Sequence, residues 1–121
     1  MNNPITIQKH KNITLATGKK LHVIKIEDIV RCEAFNTYTL FYLSNGAQIL
    51  MTKTLKEYEN ILSTCGFIRV HKSHLINFYY IINFDSEIER KINLSDGSII
   101  PIARRRKNIF LQLLKVTSKC R

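Results

Sequence analysis

Hydrophobic and polar positions along most of this chain alternate with a period of two, the pattern of half-buried β-strands. Ile13 to Ala16 and Leu21 to Ile24 flank Thr17-Gly18-Lys19-Lys20 and read as strand, turn, strand. Glu27-Asp28 makes a short turn before a third strand, Ile29 to Ala34. Phe35-Asn36-Thr37 interrupts the pattern, and Tyr38 to Leu43 resumes it with aromatic and other β-favouring side chains. Asn45-Gly46 then reverses the chain into Ala47 to Met51, because this dipeptide tolerates the positive φ of a tight hairpin.

The period changes once in mid-chain. Leu55, Tyr58, Ile61, Leu62 and Cys65 recur on one helical face, Thr54 and Glu57 have the spacing of a capping box, and Gly66 supplies the stop. Strand alternation returns from Phe67 to His71, with Ile68 and Val70 on one side and Arg69 and His71 on the other. It ends at Lys72-Ser73-His74, three polar residues that turn toward solvent before Leu75 and Ile76 lead back to the core. That bend groups a cation, a hydroxyl and an imidazole, all able to donate to phosphate oxygens or base edges.

The rest of the chain repeats the same grammar. Tyr79 to Phe84 is an apolar, aromatic strand, Asp85-Ser86 turns, and Ile88 to Leu94 pairs through Asp96-Gly97 with Ser98 to Ile102. Pro101 donates no ladder hydrogen bond, which predicts an edge for the last strand. Residues 108–117 carry apolar side chains at helical spacing. About eight or nine strands and two short helices without βαβ alternation predict a mainly β fold of antiparallel sheets.

Charge changes the picture from fold to partner. Among 121 residues, 19 Lys and Arg stand against 9 Asp and Glu, a net charge of +10, which points to a polyanion or an acidic membrane surface. The 45% hydrophobic content suffices for a single core-bearing domain. Cys32, Cys65 and Cys120 are an odd set without Cys-x-x-Cys spacing, and they read as core or terminal residues. Met1-Asn2-Asn3-Pro4 lacks a basic segment leading into an apolar stretch, and no apolar run approaches the roughly 20 residues that span a bilayer. The expectation is a cytoplasmic protein.

Enzymatic constellations are poor. No Gly-x-Ser-x-Gly elbow or Gly-rich phosphate loop accompanies His71, Ser73 and His74, and the four histidines lack metal-helix spacing. No catalytic activity, cofactor, metal or small-molecule substrate is expected. Arg104-Arg105-Arg106-Lys107 precedes the last helix, where the dipole disfavours cations, so stability does not account for the run. It is either a solvated basic loop or the seat of an anionic partner.

The run Gly66 to Asn77 resembles the signature of LytTR DNA-binding domains, an aromatic-x-Arg-x-His-Arg/Lys-Ser block followed by a hydrophobic pair and Asn. Glu33-Ala34 with Tyr38-Thr39, Thr54-Leu55-Lys56-Glu57, and Asp96-Gly97 with Ile100-Pro101-Ile102-Ala103-Arg104-Arg105 match in order, covering roughly residues 10–115. Family members usually carry Ser where this chain has Ala103, which removes a hydroxyl, and often Arg where it has Lys72. The resemblance implies an elongated stack of antiparallel sheets that reads duplex DNA with loops at sheet edges. The expected organisation is a basic lead-in over 1–12, the DNA-binding domain over 13–117 and a tail over 118–121.

The resemblance carries a DNA-facing role to Lys72, Ser73, Arg104 and Arg105, with Arg106 and Lys107 beside them. Asn36 and Thr37 form the third expected contact, since Asn pairs with adenine and Thr donates to phosphate; the other reading of Asn36 is a turn residue at positive φ, and that of Tyr38 is core. His71 and Asn77 are read as structural supports of the site, and His74 as an exposed turn residue. The function expected is sequence-specific double-stranded DNA binding by a transcriptional regulator; the resemblance implies paired repeats as the target, which leaves room for a homodimer on DNA. Family members commonly place this domain after a receiver or a membrane region; the initiator-like Met1 favours a stand-alone regulator over a piece of a longer protein. The rivals are an RNA-binding module using Phe78, Tyr79 and Tyr80, and a basic protein or membrane-surface module.

Overall fold

Ten strands and two helices take up the alternation in the computed structural model, which describes residues 11–85 and 90–119. A hairpin of β1 (Asn12–Thr17) and β2 (Lys20–Lys25) stands as a two-stranded sheet. The central sheet contains β3 (Ile29–Phe35), β4 (Tyr38–Leu43), β5 (Gln48–Met51), β6 (Phe67–His71) and β7 (His74–Asn77) in the order β5-β4-β3-β7-β6. A third sheet has the order β10-β9-β8, from β8 (Ile81–Asp85), β9 (Lys91–Leu94) and β10 (Ile99–Pro101). All pairings among the described residues are antiparallel, and Pro101 lies on the edge strand β10. Helix α1 (Leu55–Leu62) separates β5 from β6, and α2 (Lys107–Lys119) closes the described chain.

The central sheet is covered on both faces. On one face Cys32, Phe41, Phe67 and Leu75 pack with Leu15 of β1 and with Leu55, Tyr58 and Leu62 of α1. On the other, Val30, Val70 and Ile76 meet Ile92, Leu94, Ile100 and Ile102 of the third sheet and Phe110 of α2. Adjacent residues Leu75 and Ile76 therefore serve opposite cores, which a strand buried on both sides requires. Phe41 and Tyr58 meet edge to face at 4.7 Å between centroids, an arrangement worth about 0.5 to 1.5 kcal/mol beyond burial. Burial pushes the Cys32 thiol pKa up against the pull of Arg31, so it acts as an inert core residue.

Local signals account for the boundaries of α1. Thr54 Oγ1 accepts the Glu57 N–H and Glu57 accepts the Thr54 N–H, the two halves of a capping box. The helix runs on through a 3-10 turn to Gly66, whose φ of 88° places it in the left-handed region that favours glycine.

Two expectations change. The strand expected from Tyr79 begins at Ile81, because the Asn77 side chain accepts the Tyr79 N–H at 3.1 Å and caps a 3-10 turn over Phe78–Tyr80. His74 is the first residue of β7, half-buried opposite Glu33, and not an exposed turn residue. Ser86, Ile88, His10 and Cys120 lie outside the described residues. Among the described residues no helix is long and apolar enough to cross a membrane.

Candidate nucleic-acid interface

Two connections leave one end of the central sheet, and a third arrives there from the edge of the adjoining sheet. Asn36-Thr37 joins β3 to β4, Lys72-Ser73 joins β6 to β7, and Ile102-Ala103 leads from β10 into a 3-10 turn, Arg104–Arg106, ahead of α2. Pairing of Glu33 with His74 sets the first two side by side, and the Ala34 N–H donates to the Ser73 carbonyl at 2.9 Å. The Ala103 N–H donates to the Val70 carbonyl at 2.8 Å, fixing the arginine turn beside the end of β6. Two backbone bonds thereby hold three tips on one rim.

Asn36, Thr37, Lys72, Arg104 and Arg105 are exposed there, while Ser73, Arg106 and Lys107 are half-buried. Asn36 has φ 58°, so it is a left-handed turn residue as well as an exposed amide. Tyr38 is 41% exposed and does not belong to the core. Ala103 provides no side-chain cap for the arginine turn. Arg106 differs from its neighbours: its Nη1 donates to the Arg69 carbonyl at 3.4 Å and braces the turn against β6. Among the described residues Lys72, Arg104 and Arg105 form no ion pair, whereas Glu33 and Glu59 each sit 2.8 Å from an arginine, Arg31 and Arg69. The rim keeps its positive field because the nearby acids are already neutralised.

The bend is shaped from within. His71 Nδ1 accepts the Ser73 N–H at 3.0 Å, which leaves Nε2 to carry the proton of the neutral ring. Burial foremost, then Lys72, Arg69 and Arg106, hold the His71 pKa below its ordinary value. For His74, burial is again the main cause of a pKa pushed down to about 4, with His71 and Arg31 adding to it and Glu33 opposing. The Glu33 carboxyl moves the other way: burial raises it, but the Arg31 hydrogen bond, His74 and Tyr42 bring it below the usual range. Asn77 is buried at the far end of β7, where its Nδ2 donates to the Ile29 carbonyl at 2.9 Å, so it pins β3 and reaches the rim only through that strand.

Sequence reasoning missed Arg69. Its Nε donates to the His71 carbonyl at 2.8 Å, its Nη2 to the Lys72 carbonyl at 2.5 Å and its Nη1 to Glu59 of α1 at 2.8 Å. The strand pattern marked Arg69 as facing away from Ile68 and Val70, but nothing local named a helix glutamate as its partner. Lys53 was missed too: Thr39 Oγ1 donates to its carbonyl at 2.8 Å and Thr39 pairs with Met51, which brings this exposed lysine to the Asn36 end of β4. A lysine next to a capping box carries no signal of that convergence.

Guanidinium, ammonium, amide and hydroxyl groups of this kind are able to donate to phosphate oxygens and base edges. Residues 19–115 match the family described as the LytTr DNA-binding domain. The chain is 25% identical over 97 residues to the haem-containing CO-sensing transcriptional regulator RcoM 2 of Paraburkholderia xenovorans (strain LB400), across 78% of this chain and 36% of that protein. It is 27% identical over 79 residues to the transcriptional regulatory protein LytR of Staphylococcus aureus (strain MW2), across 65% of this chain and 32% of that protein. The chain thus spans about a third of the length of the curated relatives it matches. In fold it is similar to the LytTr DNA-binding domain of a methyl-accepting/DNA response regulator from Bacillus cereus, with a TM-score of 0.72 at 22% identity over 85% of this chain and 95% of that one. The motif blocks, the antiparallel stack and the family match agree: the chain belongs to the LytTr DNA-binding domain family.

Proposed function

We propose that this domain binds double-stranded DNA sequence-specifically with the rim of its central sheet, as the reading head of a transcriptional regulator in the cytoplasm. The observation that carries the reading is the pair of backbone bonds, Ala34 to Ser73 and Ala103 to Val70, that tie three exposed polar tips to one end. Asn36, Lys72 and Arg105 address base edges in successive major grooves, Asn by a bidentate pair with adenine and Arg with guanine. Thr37, Ser73, Arg104 and Lys107 contact phosphates and release counterions. Arg106 contributes from a braced position, and His71 keeps the Lys72 bend in shape. Two copies occupy paired repeats and meet as a dimer on the DNA.

Selection of bound sites from a random duplex library tests this. A recurrent motif, competed poorly by scrambled duplex, is the expected result. Equal binding to single-stranded RNA or to anionic vesicles, with no enriched motif, would overturn it.

A further inference from the structure

Phe35 and Tyr38 face each other across the Asn36-Thr37 loop as directly opposed partners of the β3–β4 ladder. Directly opposed residues stand on the same face of an antiparallel pair. Both rings are open to solvent, Phe35 at 58% and Tyr38 at 41% exposed, and neither belongs to either core cluster. Phe35 has no polar atom to justify its exposure, and packing does not explain it. It lies next to Asn36, whose positive φ makes the loop a tight reversal, so the ring and the amide rise from one tip.

The apolar feature that base edges present in the major groove is the C5-methyl group of thymine. On the reading of this rim as a duplex-binding edge, we propose that Phe35 packs against a thymine methyl beside the base pair addressed by Asn36, with Tyr38 flanking the ring and excluding water. Phe35 is then a specificity-determining residue. It favours thymine over cytosine, which has the same ring size and no methyl group. Asn36 and Phe35 together would read an adenine and a neighbouring or paired thymine from a single hairpin.

The test replaces each thymine of the selected duplex, one at a time, by deoxyuridine, which keeps Watson–Crick pairing and removes only the methyl group. Wild-type protein should lose about fourfold in affinity at one position, the value of one buried methyl. Phe35→Ala should bind the all-thymine duplex more weakly by at least that factor and show no further loss at that position, while Phe35→Leu should retain part of the dependence. Thermal midpoints of both variants should match wild type, since the ring serves neither core. Wild-type indifference to deoxyuridine at every thymine, or a full methyl dependence surviving in Phe35→Ala, would overturn the assignment while leaving the duplex reading intact. Loss of wild-type preference for the selected duplex over scrambled DNA would instead overturn the duplex reading itself.

Discussion

Arg69 and Glu59 lie 2.8 Å apart, with side chains only 13% and 23% exposed, and join the last turn of α1 to β6. The same guanidinium donates to the carbonyls of His71 and Lys72, so one side chain couples helix position to the shape of the Lys72 bend. A lysine would keep the charge and lose the fork. Arg69→Lys should therefore lower unfolding free energy by about 1 to 2 kcal/mol, since charged hydrogen bonds to part-buried and exposed acceptors are lost. Its DNA affinity should fall alike on selected and random duplex, because the bend is misplaced and no base contact is removed. Urea unfolding and competition binding would check both halves.

Lys72 offers the contrasting case, as an exposed cation whose side chain forms no ion pair among the described residues. Lys72→Ala should leave stability within about 0.5 kcal/mol, the usual range for exposed sites. As a base-edge contact it should cost about 1 to 3 kcal/mol on the selected site alone and leave the salt slope nearly unchanged. A slope of log affinity against log salt shallower by about 0.9, with equal loss on scrambled DNA, would make it a phosphate contact instead. Salt-titrated binding to selected and scrambled duplex separates these outcomes.

Arg105 and Arg106 are adjacent and should behave differently. Arg105 is exposed, whereas Arg106 is half-buried and donates to the Arg69 carbonyl. Arg105→Ala should cost about 1 to 3 kcal/mol of binding on the selected site without moving the unfolding midpoint. Arg106→Ala should lower stability by about 0.5 to 1.5 kcal/mol through the lost brace. Measuring both quantities for both variants is decisive, because the braced position predicts an effect on folding that a purely DNA-facing arginine lacks.

Most of the fold was legible because its signals are local. Alternation marked the strands, Asn45-Gly46 and Asp96-Gly97 marked hairpins whose glycines adopt φ 91° and 90°, and the Thr54–Glu57 box marked α1. Pro101 marked an edge because a missing N–H is a property of the residue alone. The tips were legible for the same reason, as turns rich in polar and basic residues. What the sequence did not display depends on pairing between distant segments. His74 follows two polar residues and looks exposed until β7 pairs with β3 and sets it against Glu33. Arg69 finds Glu59 only once α1 packs beside β6, and the Phe78–Tyr80 turn exists because the Asn77 amide takes an N–H that a strand would have used.

Asn36 combines two roles that one substitution separates. With φ 58°, alanine would pay the left-handed penalty of about 1 to 2 kcal/mol, whereas glycine accepts the conformation freely. Asn36→Gly should therefore keep the unfolding midpoint near wild type and remove only the amide. If the amide reads adenine, affinity for the selected duplex should drop by about 1 to 3 kcal/mol and preference at one base pair should relax. Unchanged preference at every position would reduce Asn36 to a turn residue.

His74 gives the domain a pH dependence whose direction follows from its surroundings. Its folded pKa is pushed down to about 4 from 6.5, chiefly by burial, so well above pH 6.5 both folded and unfolded chains carry it neutral and it costs nothing. As pH falls from 6.5 toward 4, the unfolded chain takes up a proton that the folded ring refuses, and stability declines. One proton corresponds to at most about 1.4 kcal/mol per pH unit, and water around a half-buried ring reduces that figure. His71, whose Nδ1 accepts the Ser73 N–H and whose pKa is also lowered by burial, adds to the decline in the same direction. Glu33 faces His74 and opposes its shift, so charge reversal there is not a clean probe. His74→Gln keeps a polar side chain without a proton to bind in this range. Urea midpoints measured near pH 7 and near pH 5 should converge in this variant relative to wild type. An equal fall in both proteins would show that His74 carries no part of the acid sensitivity.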